Sequence, residues 1–204
     1  SVYGSLAVLS GKKGKIEEMF EYLTYSTKLN PKYAEGHFNL GIIYLKKGDF
    51  DNAVNSFLNT IKIRPEDSNA LNMLGVAFFK KGNIKSSISC YSKAIELNPQ
   101  NEKIHNNLAI AYSKLGNLEG AVSTYLKFLK IDSNNFSALF NLGKIYQQKG
   151  DLENALKTFE KILKHNNGNS LDLVFNEIGI TLQKKEDFHS AIQAYLKAIK
   201  INKK

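Results

Sequence analysis

The sequence contains few of the residues that mark several common protein classes. Its 204 residues include one cysteine, Cys90, so no disulfide can form within the chain and the disulfide-rich secreted class is excluded. Its four histidines do not combine with that cysteine in the spacing of a zinc site. No apolar run approaches the roughly 18 to 20 residues of a membrane-spanning helix, and the first residues do not resemble a signal peptide. We therefore expect no metal, no membrane insertion and a cytoplasmic location.

Arginine is almost absent although the chain is strongly basic. The formal net charge is +9 at pH 7, and Arg64 is the only arginine beside 27 lysines. Sites for phosphates or base edges favour the bidentate guanidinium group of arginine, and the lysines here are spread along the whole chain. The charge therefore indicates a solvated surface. We expect no specific nucleic-acid binding, and a basic nucleic-acid-binding surface ranks last among the alternative functions.

What the sequence does contain is an internal repeat with a period of 34 residues. The stretch "FNLGIIYLKKGDF" at 38–50 returns as "FNLGKIYQQKGDL" at 140–152, with nine of thirteen positions unchanged, and weaker copies lie between them. The repeat divides the chain into six units, with two inserted residues, 170 and 171, before the last. The units are 1–33, 34–67, 68–101, 102–135, 136–169 and 172–204.

Each unit predicts two amphipathic helices. Apolar or small residues recur at positions 4, 7, 8 and 11 of a unit and again at 20, 24 and 27, which is the spacing of one helical face. A glycine between the two runs, such as Gly48 or Gly150, can end the first helix in a left-handed conformation, and Asp or Asn follows as the N-cap. In the last unit Glu186 replaces this glycine, at a cost of about 1 kcal/mol if the residue adopts a positive φ.

These positions together resemble the tetratricopeptide repeat, or TPR. The resemblance rests on small residues at positions 8 and 20, Tyr or Phe at 11 and 24, Gly at 15 and Pro at 32, and it covers essentially the whole chain. Position 4 departs from the family, because His37 and His105 stand where Trp is frequent; we expect these histidines to pack rather than to bind a ligand. The resemblance implies an all-α fold, a right-handed superhelical solenoid of six stacked helix-turn-helix units (an α-α superhelix).

The resemblance also implies a scaffold that binds a peptide or helical segment of a partner protein in a concave groove. Positions 2, 5, 6, 9, 12 and 13 of each first helix point away from the packing face and would line that groove. Several of them are apolar, whereas a purely solvated face would be polar. The predicted groove residues are Phe38, Asn39, Ile42, Leu45, Lys46, Asn72, Val76, Phe79, Lys80, Asn106, Asn107, Ile110, Lys114, Asn141, Lys144, Gln147 and Gln148.

Each group of these residues has a second interpretation. The apolar residues could lean onto the first helix of a neighbouring unit instead of facing a partner. The asparagines could form an amide ladder for a peptide backbone, as the glycosyltransferase members of the family imply, or could be a common part of the repeat motif. The lysines at position 13 could attract an acidic partner, or could interact only with the negative end of the helix dipole.

Catalytic motifs are not recognisable in the sequence. Without a nucleophile motif or a phosphate loop, we expect no enzyme activity, no catalytic residue and no cofactor. An alternative function is that of a repeat arm that recruits substrates to a catalytic domain outside this chain. The last helix offers Ala191, Tyr195 and Ala198 to a further unit, so we expect either a piece of a longer repeat protein or end-to-end self-association through uncapped terminal repeats.

Overall fold

The computed structural model describes residues 2–165 and 170–202, and within these residues it contains helices and no strand. The prediction of an all-α protein is confirmed. Among the described residues, no helix has the length and apolar character needed to cross a membrane. The helices are α1 (Val2–Lys12), α2 (Ile16–Leu29), α3 (Ala34–Lys47), α4 (Phe50–Ile63), α5 (Ser68–Lys80), α6 (Ile84–Leu97), α7 (Glu102–Lys114), α8 (Leu118–Leu129), α9 (Phe136–Lys149), α10 (Leu152–His165), α11 (Leu171–Lys184) and α12 (Phe188–Asn202).

The helices pair as hairpins, and within each of the two compact parts of the chain successive hairpins pack on one another. Within a hairpin the two helices are in contact, as α3 is with α4 and α11 with α12. The second helix of a hairpin also packs on the first helix of the next one, as α4 does on α5 and α10 on α11. The chain forms two compact parts, residues 1–107 (the N-terminal part) and residues 108–204 (the C-terminal part), whose boundary lies within α7.

The turn inside each hairpin has the predicted conformation. Gly48 ends α3 with φ 77° and Gly150 ends α9 with φ 82°, both in the left-handed region. Asp49 then accepts a hydrogen bond from the backbone N–H of Asn52 at 3.1 Å, which caps α4. Glu186 adopts φ 63° at the equivalent turn, so the conformational strain expected of this residue is present.

In four of the hairpins, α3–α4, α5–α6, α9–α10 and α11–α12, an aromatic ring packs over a glycine. Phe57 of α4 is fully buried, and a Cβ atom added to Gly41 of α3 would lie only 2.6 Å from its ring. Phe159 of α10 is related in the same way to Gly143 of α9, where the distance would be 2.5 Å. A small residue at position 8 is therefore what allows a large ring at position 24 to fill the hairpin.

Two histidines contribute to the contacts between successive hairpins. Nε2 of His37 lies 3.0 Å from the carbonyl oxygen of Pro31, and Nε2 of His105 lies 2.8 Å from that of Pro99. Both histidines therefore bind the end of the preceding hairpin, which agrees with the predicted packing role. Ion pairs also link neighbouring hairpins. In each, a lysine at the end of a first helix pairs with an acidic residue in the first turn of the preceding second helix. The pairs are Lys81 with Asp51, Lys149 with Glu119 and Lys185 with Glu153.

Candidate partner-binding surface

The predicted groove residues lie on the first helices α3, α5, α7 and α9, and they divide between the two compact parts. The N-terminal surface consists of Phe38, Asn39, Ile42, Leu45, Lys46, Asn72, Val76, Phe79, Lys80, Asn106 and Asn107. The C-terminal surface consists of Ile110, Lys114, Asn141, Lys144, Gln147 and Gln148.

The apolar residues that α3 contributes to the N-terminal surface are half-buried. Phe38, Ile42 and Leu45 all pack against the core cluster around Phe57 and Leu74. The rings of Phe38 and Phe57 meet edge to face, with their centroids 5.7 Å apart. All three side chains are therefore partly committed to the core, and each keeps part of its surface exposed.

On α5 and α7 the N-terminal surface contains a pair of amides. Nδ2 of Asn107 donates a hydrogen bond of 2.9 Å to Oδ1 of Asn72, and both side chains stay partly exposed. Two amides joined in this way retain an N–H donor on Asn72 and an acceptor oxygen on Asn107. Donor and acceptor groups are what a peptide unit requires, so the pair can bind a backbone without reading side chains. The sequence predicted both residues as ladder members but not their direct bond.

The surroundings of the amide pair are apolar and basic. Val76 and Phe79 of α5 are half-buried, whereas Lys46 and Lys80 are exposed at the ends of their helices. The remaining asparagine of α7, Asn106, is half-buried and interacts with another residue. Asn39 of α3 is half-buried as well. The N-terminal surface thus combines hydrogen-bonding amides, partly exposed apolar groups and positive charge.

The C-terminal surface is more polar. Ile110 is 51% exposed, and Lys114, Lys144 and Gln148 are also exposed. The Lys144 ammonium group lies 5.8 Å from the centroid of the Phe140 ring one turn earlier on α9, within the range of a cation–π contact. Asn141 is half-buried and interacts with another residue.

The structure contradicts the predicted surface position of Gln147. Its side chain is buried, with 8% of its surface exposed, and Nε2 donates to Oγ1 of Thr181 at 2.7 Å and to the carbonyl oxygen of Glu177 at 3.0 Å. Position 12 lies at the edge of the groove face, where the next first helix covers it. Gln147 therefore joins α9 to α11 and is not available to a partner.

Two features bear on catalysis and metal binding. Among the described residues, no three His, Cys, Asp or Glu side chains are grouped closely enough to hold a metal ion. Burial raises the pKa of the Cys90 thiol to about 11, so at neutral pH this residue is a protonated packing group and not a nucleophile.

Family models match nearly the whole chain. A TPR repeat model matches residues 41–82, 77–116 and 111–150, and two tetratricopeptide repeat models match residues 134–204 and 22–55. The chain belongs to the tetratricopeptide repeat family. This result confirms the resemblance and the solenoid fold class, and it supports a role as a protein–protein interaction scaffold.

Solved structures of other TPR proteins are similar to this chain. MamA is 24% identical with a TM-score of 0.72, over 78% of this chain and 93% of MamA. YrrB, a TPR protein with an unusual peptide-binding site, is 20% identical with a TM-score of 0.66, over 88% and 91%. PilF of Pseudomonas aeruginosa is 15% identical with a TM-score of 0.71, over 96% and 88%. These identities support the shared fold alone. A comparison with curated proteins finds no significant match.

Proposed function

We propose that the chain is a scaffold whose N-terminal surface binds an extended peptide segment of a partner protein. The observation that carries this proposal is the hydrogen-bonded pair of Asn72 and Asn107, which retains the N–H donors of Asn72 and the acceptor oxygen of Asn107 on partly exposed side chains. An extended peptide offers its backbone N–H and C=O to such a pair, whereas a helix uses most of these groups internally. The amide pair therefore favours an extended segment over a helical one.

The neighbouring residues define the side chains that this segment would carry. Val76 and Phe79 leave partly exposed apolar area beside the amide pair, which an apolar side chain of the partner would cover. Lys46 and Lys80 are exposed and would favour an acidic residue nearby, mainly by raising the association rate. The C-terminal surface, with Lys144 and Gln148, suits a polar or acidic segment.

Affinity capture tests this site. The wild-type chain and the double variant Asn72→Ala, Asn107→Ala are used side by side to capture partners from the native lysate. The matched control is Asn55→Ala, Asn59→Ala, which makes the same chemical change at exposed positions of α4. We expect a partner that the wild type and the control retain and that the Asn72, Asn107 variant loses at least tenfold. Equal capture by all three would contradict the assignment of the site.

The captured partner then allows a test of backbone recognition. Its binding segment is synthesised as a peptide series in which one backbone amide at a time is N-methylated. Methylation of the peptide unit bound by the amide pair should weaken binding to the wild type at least tenfold and should have little further effect in the Asn72→Ala, Asn107→Ala variant. A peptide series insensitive to N-methylation, or one that binds as a helix, would contradict the extended mode.

The terminal helices support a second contact, between copies of the chain. The exposed stripe of α12 includes Phe188, which is 60% exposed, and Ile192, which is 57% exposed. These exposed residues differ from Ala191, Tyr195 and Ala198, which the sequence predicted for a contact with a further unit. Ala191 is buried, and Tyr195 packs over Gly179 within its own hairpin. Within each compact part, the second helix of one hairpin packs on the first helix of the next hairpin. We propose that α12 packs in this way on α1 of another copy, which also exposes apolar residues.

Sedimentation velocity tests this self-association. The wild type should form larger species as its concentration rises, and Ile192→Glu, Leu196→Glu should prevent this. Gln193→Glu, an exposed change on the same helix, is the control and should behave as the wild type. A wild-type chain that stays monomeric at every concentration would contradict the proposed contact.

A further inference from the structure

A pocket of about 490 Å³ lies in the C-terminal part between α8, α9 and α10, away from the predicted groove residues. Its floor is apolar and is formed by Leu126 and Leu129 of α8 together with Leu139 and Leu142 of α9. Leu139 and Leu142 belong to the buried core, whereas Leu126 is exposed at the entrance. Ligand-binding pockets commonly have volumes of about 300–1,000 Å³ and mainly apolar walls, and this pocket has both properties.

The end of α8 explains why the pocket has this form. Helix α8 ends at Leu129, two residues earlier in its unit than α4, which ends at Ile63 in the second unit. After this end, the backbone N–H of Ile131 donates to the carbonyl oxygen of Phe128 at 2.8 Å, so the chain turns immediately. This turn places Lys130 at the edge of the pocket.

Three lysines surround the apolar floor. Lys130 follows α8, and Lys157 and Lys161 lie one turn apart on α10. None of the three forms an ion pair with any residue that the structure describes, and no carboxylate lines the pocket. The acidic residues Glu119 and Glu153 of the same helices are instead paired with Lys149 and Lys185. Beyond the hydrogen bonds from Asn154 and Lys185, Lys157 also lowers the pKa values of Asp151 and Glu153, but these carboxylates lie outside the lining of the pocket. The pocket therefore combines apolar area with three lysine ammonium groups that form no direct ion pair with the described residues.

We propose that this pocket binds a peptide segment of a partner protein in which an apolar side chain is flanked by Asp or Glu residues. The apolar side chain would cover the leucine floor, and the carboxylates would lie against the three lysine ammonium groups. A nucleic acid would place its phosphates on the lysines, but its bases stack best on aromatic platforms, whereas the floor of this pocket is mainly leucine, so the pocket favours the acidic peptide. The residues of this pocket do not include Asn72 or Asn107, so the proposal does not depend on peptide binding at the amide pair.

Selection from a random peptide library tests the proposal without assuming a sequence. A phage-displayed dodecapeptide library is selected on the wild-type chain, and enriched peptides are synthesised with a fluorescent label. Their affinity is measured for the wild type, for Lys157→Glu, Lys161→Glu, and for the control Lys85→Glu, Lys93→Glu on α6. The two variants have the same net charge, and all four lysines are on the surface of second helices. Circular dichroism and thermal unfolding check that both variants fold.

We expect enriched peptides that contain an apolar residue flanked by acidic ones. They should bind the control as tightly as the wild type and bind the Lys157, Lys161 variant at least tenfold more weakly, with affinity that falls as salt is raised. Enrichment of peptides without acidic residues, or equal binding to both variants, would overturn the proposal. A labelled single-stranded oligonucleotide that binds more tightly than these peptides, and that the same variant releases, would also overturn the assignment of a peptide as the occupant.

Discussion

The hairpin α3–α4 of the N-terminal part and the hairpin α9–α10 of the C-terminal part have the same residue at thirteen of thirty positions and the same packing of aromatic rings. In the first, the rings of Phe38 and Phe57 lie 5.7 Å apart; in the second, those of Phe140 and Phe159 lie 6.0 Å apart. Both hairpins end their first helix with a left-handed glycine and cap the second with an aspartate. The conserved residues therefore build the hairpin in both places.

The two hairpins differ where they meet their surroundings. Leu45 of α3 packs into an apolar cluster, whereas Gln147 at the same position of α9 is buried by hydrogen bonds to α11. One turn earlier, Ile42 packs against the same cluster as Leu45, whereas Lys144 lies over the ring of Phe140. The comparison shows that the same hairpin accepts either apolar or polar side chains at these positions.

The largest expected effect concerns what the two hairpins share. Phe57→Ala and Phe159→Ala each remove a fully buried ring and should destabilise their own part by about 3–5 kcal/mol. Chemical denaturation followed by hydrogen exchange of α3 and α9 separates the two parts. Leu58→Ala, at an exposed neighbouring position, is the control. A small effect of either Phe→Ala change would show that the hairpins are not built alike.

A smaller effect is expected from exchanging the residues at position 12. Leu45→Gln places an amide in an apolar cluster without a partner and should cost about 1–3 kcal/mol. Gln147→Leu removes two bonds, but the hydroxyl of Thr181 still donates to the carbonyl oxygen of Glu177, so the cost should be about 1 kcal/mol. The measurement is the free energy of unfolding from urea denaturation. A cost of Leu45→Gln below that of Gln147→Leu would contradict the different environments of the two side chains.

Exchanging glycine and glutamate at the turns of two hairpins should change stability in opposite directions. Gly150→Glu should destabilise the chain by about 1 kcal/mol, because an ordinary side chain is strained at positive φ, and Glu186→Gly should stabilise it by a similar amount. Both are measured as shifts in the denaturation midpoint. Since nothing lies within 4 Å of a Cβ added at Gly150, a much larger loss there would point to a cause other than backbone strain.

The smallest expected effect is a pH dependence common to both hairpins. Hydrogen bonds from Asn52 and Asn154 hold the pKa values of Asp49 and Asp151 below the ordinary value of 3.8. The stabilisation is therefore complete above pH 3.8 and is lost as the pH falls through the lower folded-state pKa values. Asp49→Asn, Asp151→Asn should reduce the slope of unfolding free energy against pH below 3.8. An unchanged slope would show that the caps do not titrate in this range.

The sequence predicts the fold more completely than the surface. The period of 34 residues, the glycines and the caps specify each hairpin locally, and so the helices and turns follow from the sequence. Gln147 was misassigned because its burial depends on Thr181, a residue 34 positions away that helical periodicity does not connect to it. The hydrogen bond between Asn72 and Asn107 was not predicted for the same reason, since the two residues are 35 positions apart. Contacts between units require the packed structure.

The most direct test of the account is to exchange the variable residues of the two hairpins. The partner segment from affinity capture is titrated by calorimetry into Ile42→Lys, Lys46→Gln, which gives α3 the residues of α9, and into the reverse exchange Lys144→Ile, Gln148→Lys. We expect the first variant to bind at least tenfold more weakly than the wild type and the second to bind no more weakly. Because Ile42 packs against the core cluster, the first variant should also lose about 1 kcal/mol of unfolding free energy, and circular dichroism checks that it stays folded. Unchanged binding of the first variant, or an equal loss in both, would contradict the assignment of partner binding to the N-terminal surface.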